Sequence, residues 1–413
     1  MSRILLISNG HGEDLSGSLL GRELLQRQQW VEALPLVGAG EAYRQAGLGV
    51  IGRTRNFSTG GLGYTSLRGR FTELWQGQVQ YLFGRILTLM RHRRDYGLVV
   101  AVGDLVPVLA AWLSGRPAVV YLVAYSSHYE GRLRLPWPCG WLLRQDRIQA
   151  IWSRDALTAD DLSGQLGRPV RFLGNPFQDA VAAAARPSPA VCGLMPQGLG
   201  LLPGSRLPEA KANLLLMLEV LQRLPEPLQR PGALRLQAAL VGALTATEVL
   251  EAAAPLGWTL AEPDRRSNAT VLRRGHLELR LVWQGFVEVL RDSDLLLAMA
   301  GTAAEQAVGL GKPVLQLAGP GPQFNGRFAE AQRRLLGAGV TCAPGESGED
   351  ATLRTTAAMV ADQLEHLGDP ERGSAWRRDL EKIAAARLGP PGGSARQAEA
   401  IMETLVSLRR PYG

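Results

Sequence analysis

Two short segments in the second half of the chain carry residue types suited to holding a phosphate. In residues 295–314 an apolar run ends in Ala300-Gly301-Thr302-Ala303-Ala304, and a helical pattern follows. Gly301 allows a tight turn, Thr302 is a suitable helix N-cap, and Ala303 and Ala304 leave the helix start bare. Free N–H groups there, with roughly half a positive charge from the helix dipole, would face a pyrophosphate. The same pattern also serves an ordinary strand-to-helix crossover. Upstream, the apolar run Gly200-Leu-Leu ends in Pro203-Gly204-Ser205-Arg206. Pro203 and Gly204 break the strand, Ser205 supplies a hydroxyl, and Arg206 supplies a forked cation that matches phosphate geometry. Together the two loops point to one nucleotide diphosphate.

Such loops need strands and helices to hold them. Strand-like runs fall at 4–8, 31–37, 98–102, 118–123 and 170–173, and again at 200–202, 234–241, 277–282, 295–300 and 313–317. Helical patterns fit between them, most clearly over 17–29, 71–93, 155–166 and 208–224. This alternation predicts an α/β protein with parallel sheets. At 413 residues the chain exceeds what one core usually serves, so two domains are expected. Residues 182–198, rich in Ala, Pro, Gly and Ser, read as a linker between an N-terminal domain over 1–181 and a C-terminal domain over 199–413. The last helix is expected to pack back on the N-terminal domain. Two doubly wound sheets joined there would place the carboxyl ends of both strand sets around a central cleft.

Composition narrows the classes. Hydrophobic residues make up 46% of the chain and the mean hydropathy is near zero, which suits a globular soluble protein. The 48 glycines and 25 prolines are scattered between periodic segments and read as loop punctuation. Met1-Ser-Arg leads straight into the first apolar run, which is too short for a signal peptide and lacks a cleavage site. The longest apolar run, 98–113, is interrupted by Asp104 and Pro107 and falls short of the roughly 20 residues of a spanning helix. Cys139, Cys192 and Cys342 lie far apart, and neither CxxC nor HExxH occurs. A reducing compartment is therefore expected, and a metal site is not.

A formal charge of +7 calls for a partner or a bland explanation. Arg68, Arg70, Arg85, Arg91, Arg93 and Arg94 flank a long helical pattern containing Phe71, Trp75, Tyr81, Phe83 and Met90. A second cluster, Arg132 to Arg144, mixes arginines with Trp137 and Trp141. Both suit an anionic membrane surface, and both equally suit solvated faces above core aromatics. No nucleic-acid signature accompanies the charge.

Four segments, in order, carry a family resemblance. They are Gly12-Glu-Asp-Leu-Ser-Gly17, Phe172-Leu-Gly-Asn-Pro-Phe-Gln-Asp179, Leu201-Leu-Pro-Gly-Ser-Arg206 and Ala300-Gly-Thr-Ala-Ala304 with Lys312-Pro-Val314 after the helix. The chain resembles GT-B glycosyltransferases related to lipid A disaccharide synthase over most of its length. The resemblance implies two Rossmann-like domains of GT-B type. It also implies transfer from a UDP-sugar to a lipid-linked acceptor at the inner, cytoplasmic face of the membrane, with inversion, no metal and no further cofactor. By position, Gly204, Ser205, Arg206, Gly301, Thr302 and Ala303 would hold the diphosphate. Gln323 and Asn325 fall where related enzymes carry amides on the donor sugar, although Asn325 equally suits a helix cap. Gly10, Gly12, Glu13, Ser16, Gly17 and Asn175 would fall on the acceptor side.

Asp104 matches the family's acidic candidate general base. An acceptor hydroxyl must lose its proton as it attacks the anomeric carbon, and a positioned base contributes roughly 10²- to 10⁴-fold. Asp104 equally suits the N-cap of a helix from Leu105. His11, between glycines, is the other candidate, as base or neutral donor. The departures fall at several positions. Gln306 stands where relatives place a ribose-binding glutamate, with Glu305 one position before it, about 100° around a helix. Asn175 replaces a histidine, and the first loop reads Asn9-Gly-His-Gly-Glu-Asp14 with extra residues. The acceptor is therefore expected to differ from a lipid A precursor. A nucleotide-sugar epimerase or hydrolase of the same fold, and a catalytically silent binding protein, are the competing readings.

Overall fold

Residues 3–55, 78–182, 197–261, 270–321 and 324–409 are described by the structure, a computed structural model. The chain divides into two units, Met1–Ala180 with Leu388–Gly413, and Val181–Arg387.

In the first unit, strands β1 (Arg3–Ser8), β2 (Val31–Pro35), β3 (Gly49–Val50), β4 (Tyr96–Val102), β5 (Ala118–Leu122), β6 (Ile148–Ser153) and β7 (Arg171–Phe172) form one sheet in the order β3-β2-β1-β4-β5-β6-β7. All its pairings are parallel. Helices α1 (His11–Gln26), α2 (Glu41–Gln45), α3 (Gln78–His92), α4 (Leu105–Leu113), α5 (Ser127–Glu130), α6 (Cys139–Leu143) and α7 (Ala156–Leu166) lie between the strands, and α8 (Pro176–Ala182), all but its last two residues in this unit, follows β7. A strand alternates its side chains between faces, and a sheet covered on both sides therefore reads as a continuous apolar run. Leu5, Ile7, Val99 and Ala101 pack with Leu89, Val108 and Leu142 on one face. Ile4, Leu6, Leu98 and Val100 pack with Leu20 and Leu24 on the other, where Ala398, Ile401 and Leu405 of the last helix join them.

In the second unit, β8 (Gln197–Leu202), β9 (Leu234–Leu240), β10 (Thr259–Leu260), β11 (Thr270–Arg274), β12 (Leu277–Trp283), β13 (Leu295–Ala298), β14 (Val314–Gln316) and β15 (Val340–Cys342) order as β10-β11-β12-β9-β8-β13-β14-β15. Its helices are α9 (Glu209–Gln222), α10 (Glu226–Gln229), α11 (Ala246–Ala253), α12 (Phe286–Asp292), α13 (Gly301–Gly309), α14 (Gly326–Leu336), α15 (Asp350–Gly368) and all but the last residue of α16 (Pro370–Leu388). The final helix, α17 (Gly393–Arg409), belongs to the first unit.

Four details differ from the sequence reading. Helix α1 starts at His11, not Gly17, so the segment from Gly12 to Gly17 is helix and not loop. The second sheet is not wholly parallel, because Gly275 (φ 57°) and His276 close a tight hairpin that sets β11 antiparallel to β12, with β10 beyond it. Gln197 and Gly198 belong to β8 and not to a linker: the Gln197 side chain donates to the Leu364 carbonyl at 2.6 Å. Ala182 ends α8, and 183–196 lie outside the described residues. Of the helix read over 71–93, residues 78–92 are helical, Arg93–Asp95 form a 3-10 turn, and 71–77 lie outside the described residues, as do Arg68 and Arg70. Among the described residues no helix is long and apolar enough to cross a membrane.

The start of α17 is fastened within the first unit. Asp179 accepts the Gly392 and Ser394 N–H groups at 2.5 and 2.7 Å, and Arg396 donates to the Leu173 carbonyl at 2.8 Å. Gly174 (φ 93°) and Gly393 touch backbone to backbone; a Cβ on Gly393 would lie 2.7 Å from the Gly174 carbonyl carbon. Asp179→Ala removes two charge-assisted bonds and is expected to cost about 2–3 kcal/mol. Hydrogen exchange should show the protection lost first over 393–409.

Candidate active site

Parallel pairing sends the strands of the first sheet toward one edge, and its chemistry-bearing side chains collect there. After β1, Gly10 turns the chain with φ 149° and His11 opens α1. After β4, Gly103 turns with φ 141° and Asp104 stands at the head of α4. Asp104 accepts the Val106 N–H at 2.8 Å, and Asn9 donates to its two oxygens at 3.3 and 3.4 Å. The cap reading of Asp104 therefore holds, and it leaves the carboxylate half-buried beside a neutral amide. Burial pushes this carboxyl above its ordinary 3.8, against the pull of the Val106 and Asn9 hydrogen bonds. Glu13 leans over the same place. A Cβ on Gly10 would lie 2.7 Å from its Oε2, and a Cβ on Gly103 would lie 3.0 Å from its Cγ.

The other acceptor-side residues divide. Gly12 is half-buried in the first turn of α1, whereas Ser16 and Gly17 face the packing, and a Cβ on Gly17 would collide with the Tyr43 hydroxyl. Asn175 is fully buried; its side chain accepts the Phe177 N–H at 3.0 Å, and its own N–H bonds the Leu388 carbonyl.

A further group at this edge was not read from the sequence. Asp155 is buried and accepts the Ser126 hydroxyl and both the N–H and hydroxyl of Thr158, each at 2.7 Å, while His128 Nε2 lies 3.8 Å away. The signal was Ser126-Ser127-His128 directly after an apolar run. Without β6, which Gln149 interrupts as a pattern, nothing placed Asp155 beside it. The Tyr125 hydroxyl accepts the Leu105 N–H at 3.1 Å and ties this loop to that of Asp104.

The first unit also exposes apolar and cationic groups together. Phe83, Leu87 and Met90 follow one face of α3 and are exposed, as are Leu109 and Leu113 on α4. Trp137 is 90% exposed, and Trp141 meets Trp112 edge-on at 5.5 Å. Arg132, Arg134 and Arg144 line a pocket of about 650 Å³ nearby in the chain. Arg85, grouped by sequence with these arginines, is instead buried; it donates to the Pro35 and Arg53 carbonyls at 3.0 Å each.

In the second unit, β8, β13 and β14 are consecutive neighbours, so their carboxyl-end loops begin side by side. Gly204 (φ 109°) runs against the loop entering α13: a Cβ there would lie 3.4 Å from the Met299 carbonyl oxygen. Asn213 of α9 donates to the Pro203 carbonyl at 2.9 Å, and a Cβ on Gly319, after β14, would lie 2.8 Å from its Oδ1. Three loops thus meet. Ser205 is exposed and Arg206 half-buried beside them.

Thr302 does not cap α13. Ala300 holds the N-cap position with no side-chain bond, and Gly301, Thr302 and Ala303 form a half-buried first turn. Helix α9 also starts without a side-chain cap, after Pro208. By contrast, Thr245 and Glu248 close α11 as a capping box, and Asn325 caps α14 through the Phe328 N–H at 3.0 Å. Glu305 and Gln306 are both buried, and Gln323 lies outside the described residues.

No family model matches the chain. Over 188 residues it is 30% identical to a lipid-A-disaccharide synthase of Nitrosococcus oceani, a match covering 43% of this chain and 43% of that protein. The chain thus spans less than half the length of that curated relative. A UDP-GlcNAc 2-epimerase from Neisseria meningitidis, solved with UDP-GlcNAc bound, is 15% identical over 98% of this chain and 100% of its own, with a TM-score of 0.55. The calicheamicin glycosyltransferase is 17% identical over 99% and 100%, with a TM-score of 0.56. These likenesses show the fold, two Rossmann-like α/β domains of GT-B type.

Beneath the first edge, the Tyr43 hydroxyl donates to Ser8 at 2.8 Å and Ser8 donates to Asp14 at 2.6 Å. Burial pushes the Asp14 carboxyl up to about 7 from its ordinary 3.8. Between those values the native state holds a proton that the unfolded chain has released, so stability falls as pH rises through that window. Unfolding in urea from pH 4 to pH 7 should reveal a loss of at most roughly 4 kcal/mol from this group. Asp14→Asn should flatten that part of the profile.

Proposed function

We propose that the protein transfers a sugar from a UDP-sugar to a lipid-linked or membrane-associated acceptor, with inversion and without a metal. The observation that carries this reading is the meeting of three carboxyl-end loops in the second unit at helix starts, α9 and α13, that no side chain caps. N–H groups of that kind pair with an anion, and the diphosphate of a nucleotide sugar is one. Gly204, Ser205 and Arg206 with Gly301, Thr302 and Ala303 take the diphosphate, and Gln323 and Asn325 are the amides assigned to the sugar. The likeness to proteins that bind UDP-GlcNAc or transfer sugars supports this choice of donor.

The acceptor lies on the first unit. Its hydroxyl oxygen bonds to the anomeric carbon as the bond to the UDP oxygen breaks, and that electron pair leaves with UDP. One displacement inverts the centre. The proton passes to Asp104, with His11 as the second group that can take it, while Gly10, Gly12 and Glu13 border the acceptor. Cationic and N–H groups on the diphosphate stabilise the leaving charge. The exposed apolar side chains of α3 and α4, with Trp137, Trp141 and Arg132, Arg134 and Arg144, suit an anionic membrane surface, where apolar groups and rings reach headgroup depth.

Asp104→Asn keeps a good N-cap and removes the proton acceptor, so Tm should hold while kcat falls about 10²- to 10⁴-fold. Unchanged kcat would move the base elsewhere, with His11→Ala as the next variant. UDP in hundredfold excess over its Kd should raise stability by about 2.7 kcal/mol; Arg206→Ala should abolish the shift. Turnover of UDP-sugar without acceptor would favour the epimerase or hydrolase reading. Sedimentation with anionic vesicles should fall with salt and with Trp137→Ala, and binding that salt does not weaken would reject charge-driven docking.

A further inference from the structure

Buried polar atoms without partners are uncommon, because leaving one dry is costly. Six occur among the described residues of the second unit, two of them on β14 and on α14, the next helix in the chain. Gln332 on α14 is 5% exposed and its Oε1 has no partner among the described residues; Gln316, at the end of β14, is fully buried and its Nε2 has none. Gln332 also has a defined place. A Cβ on Gly301 would lie 3.6 Å from Gln332 Nε2 and 3.0 Å from the edge of the Phe328 ring. The amide therefore stands against the first residue of the nine-residue helix α13, whose first turn has no side-chain cap.

A leucine or methionine would fill this volume without the penalty of an unpaired carbonyl, so the amide is held for something that arrives. Phosphate oxygens only accept hydrogen bonds. An inorganic anion at α13 would therefore satisfy Nε2 and leave Oε1 unpaired. A nucleotide brings both partners, a phosphate oxygen and a ribose hydroxyl close to it. We propose that Gln332 binds the donor, with Nε2 donating to a phosphate oxygen at the start of α13 and Oε1 accepting a ribose hydroxyl. The inference rests on the second unit being the donor site.

Binding of UDP, 2′-deoxy-UDP, 3′-deoxy-UDP and pyrophosphate to wild type, Gln332→Leu and Arg206→Ala tests it by titration calorimetry, with Tm recorded for each protein. Gln332→Leu should melt at or above wild type, because it removes an unpaired polar group. It should weaken UDP binding about tenfold, the change that corresponds to one hydrogen bond. For one of the two deoxy compounds, already weak on wild type, the substitution should cost clearly less, and pyrophosphate should lose least. Gln332→Met serves the same comparison if the leucine variant does not fold. Wild-type UDP affinity in Gln332→Leu, while Arg206→Ala loses it, overturns the inference and leaves the donor site standing. Equal losses for UDP and both deoxy compounds overturn the hydroxyl contact. A wild-type protein that binds no nucleotide overturns the inference together with the reading beneath it.

Discussion

The first N–H groups of a helix must find a partner, and this constraint orders both carboxyl edges. In the first unit Asp104, Ser126, Asp155 and Asn175 turn side-chain oxygens back onto the helices that follow them. In the second unit Thr245 and Asn325 do the same. Helices α1, α2, α6, α9, α10, α12, α13 and α15 begin without a side-chain cap. Among them the starts of α1, α9 and α13 lie at the segments that carry the motifs.

The starts of α1 and α13 differ in charge. At α1 the Glu13 carboxylate sits by Gly10, and Asp104 stands across Gly103 from it. A second anion there would meet two carboxylates, whereas a hydroxyl would meet acceptors for its proton. At α13 no acidic side chain lies in the first turn, and the adjoining loop carries Arg206. The carboxylates nearby are Glu209, in the first turn of α9 against Gly321, and Glu305, buried one turn into α13. The proposed sugar transfer asks for an anion on this edge and a hydroxyl on the other.

Much of this was legible in the residues themselves. Strands buried on both faces read as unbroken apolar runs, so β1, β4, β5 and β13 stood out, and the motif loops fell after β1, β8 and β13. Two-residue strands such as β3 and β10 carry no periodicity, and β6 is interrupted by Gln149. Thr302 looked like a cap because Thr favours that position. The backbone entered the helix one residue earlier, at Gly301, which shifts the bare N–H groups but keeps them bare. Arg85 looked like a surface charge because arginine rarely buries, yet two carbonyls draw it inward. Gln332 gave no signal, since a glutamine at a buried helix position is visible only once Gly301 stands against it.

The fastening of α17 by Asp179 and Arg396 has a consequence for how the molecule is made. The second unit is one continuous stretch, Val181–Arg387, whereas the first needs Leu388–Gly413 to cover the face of Ile4, Leu6 and Val100. On a ribosome that face is translated first and covered last. Every residue of the second unit must emerge before α17 can close it, so the earliest-made sheet waits with that side covered only in part, by elements such as α1. Synthesis of this protein therefore places its greatest demand for chaperone protection on Met1–Ala180, the part that begins to fold before its own last element exists.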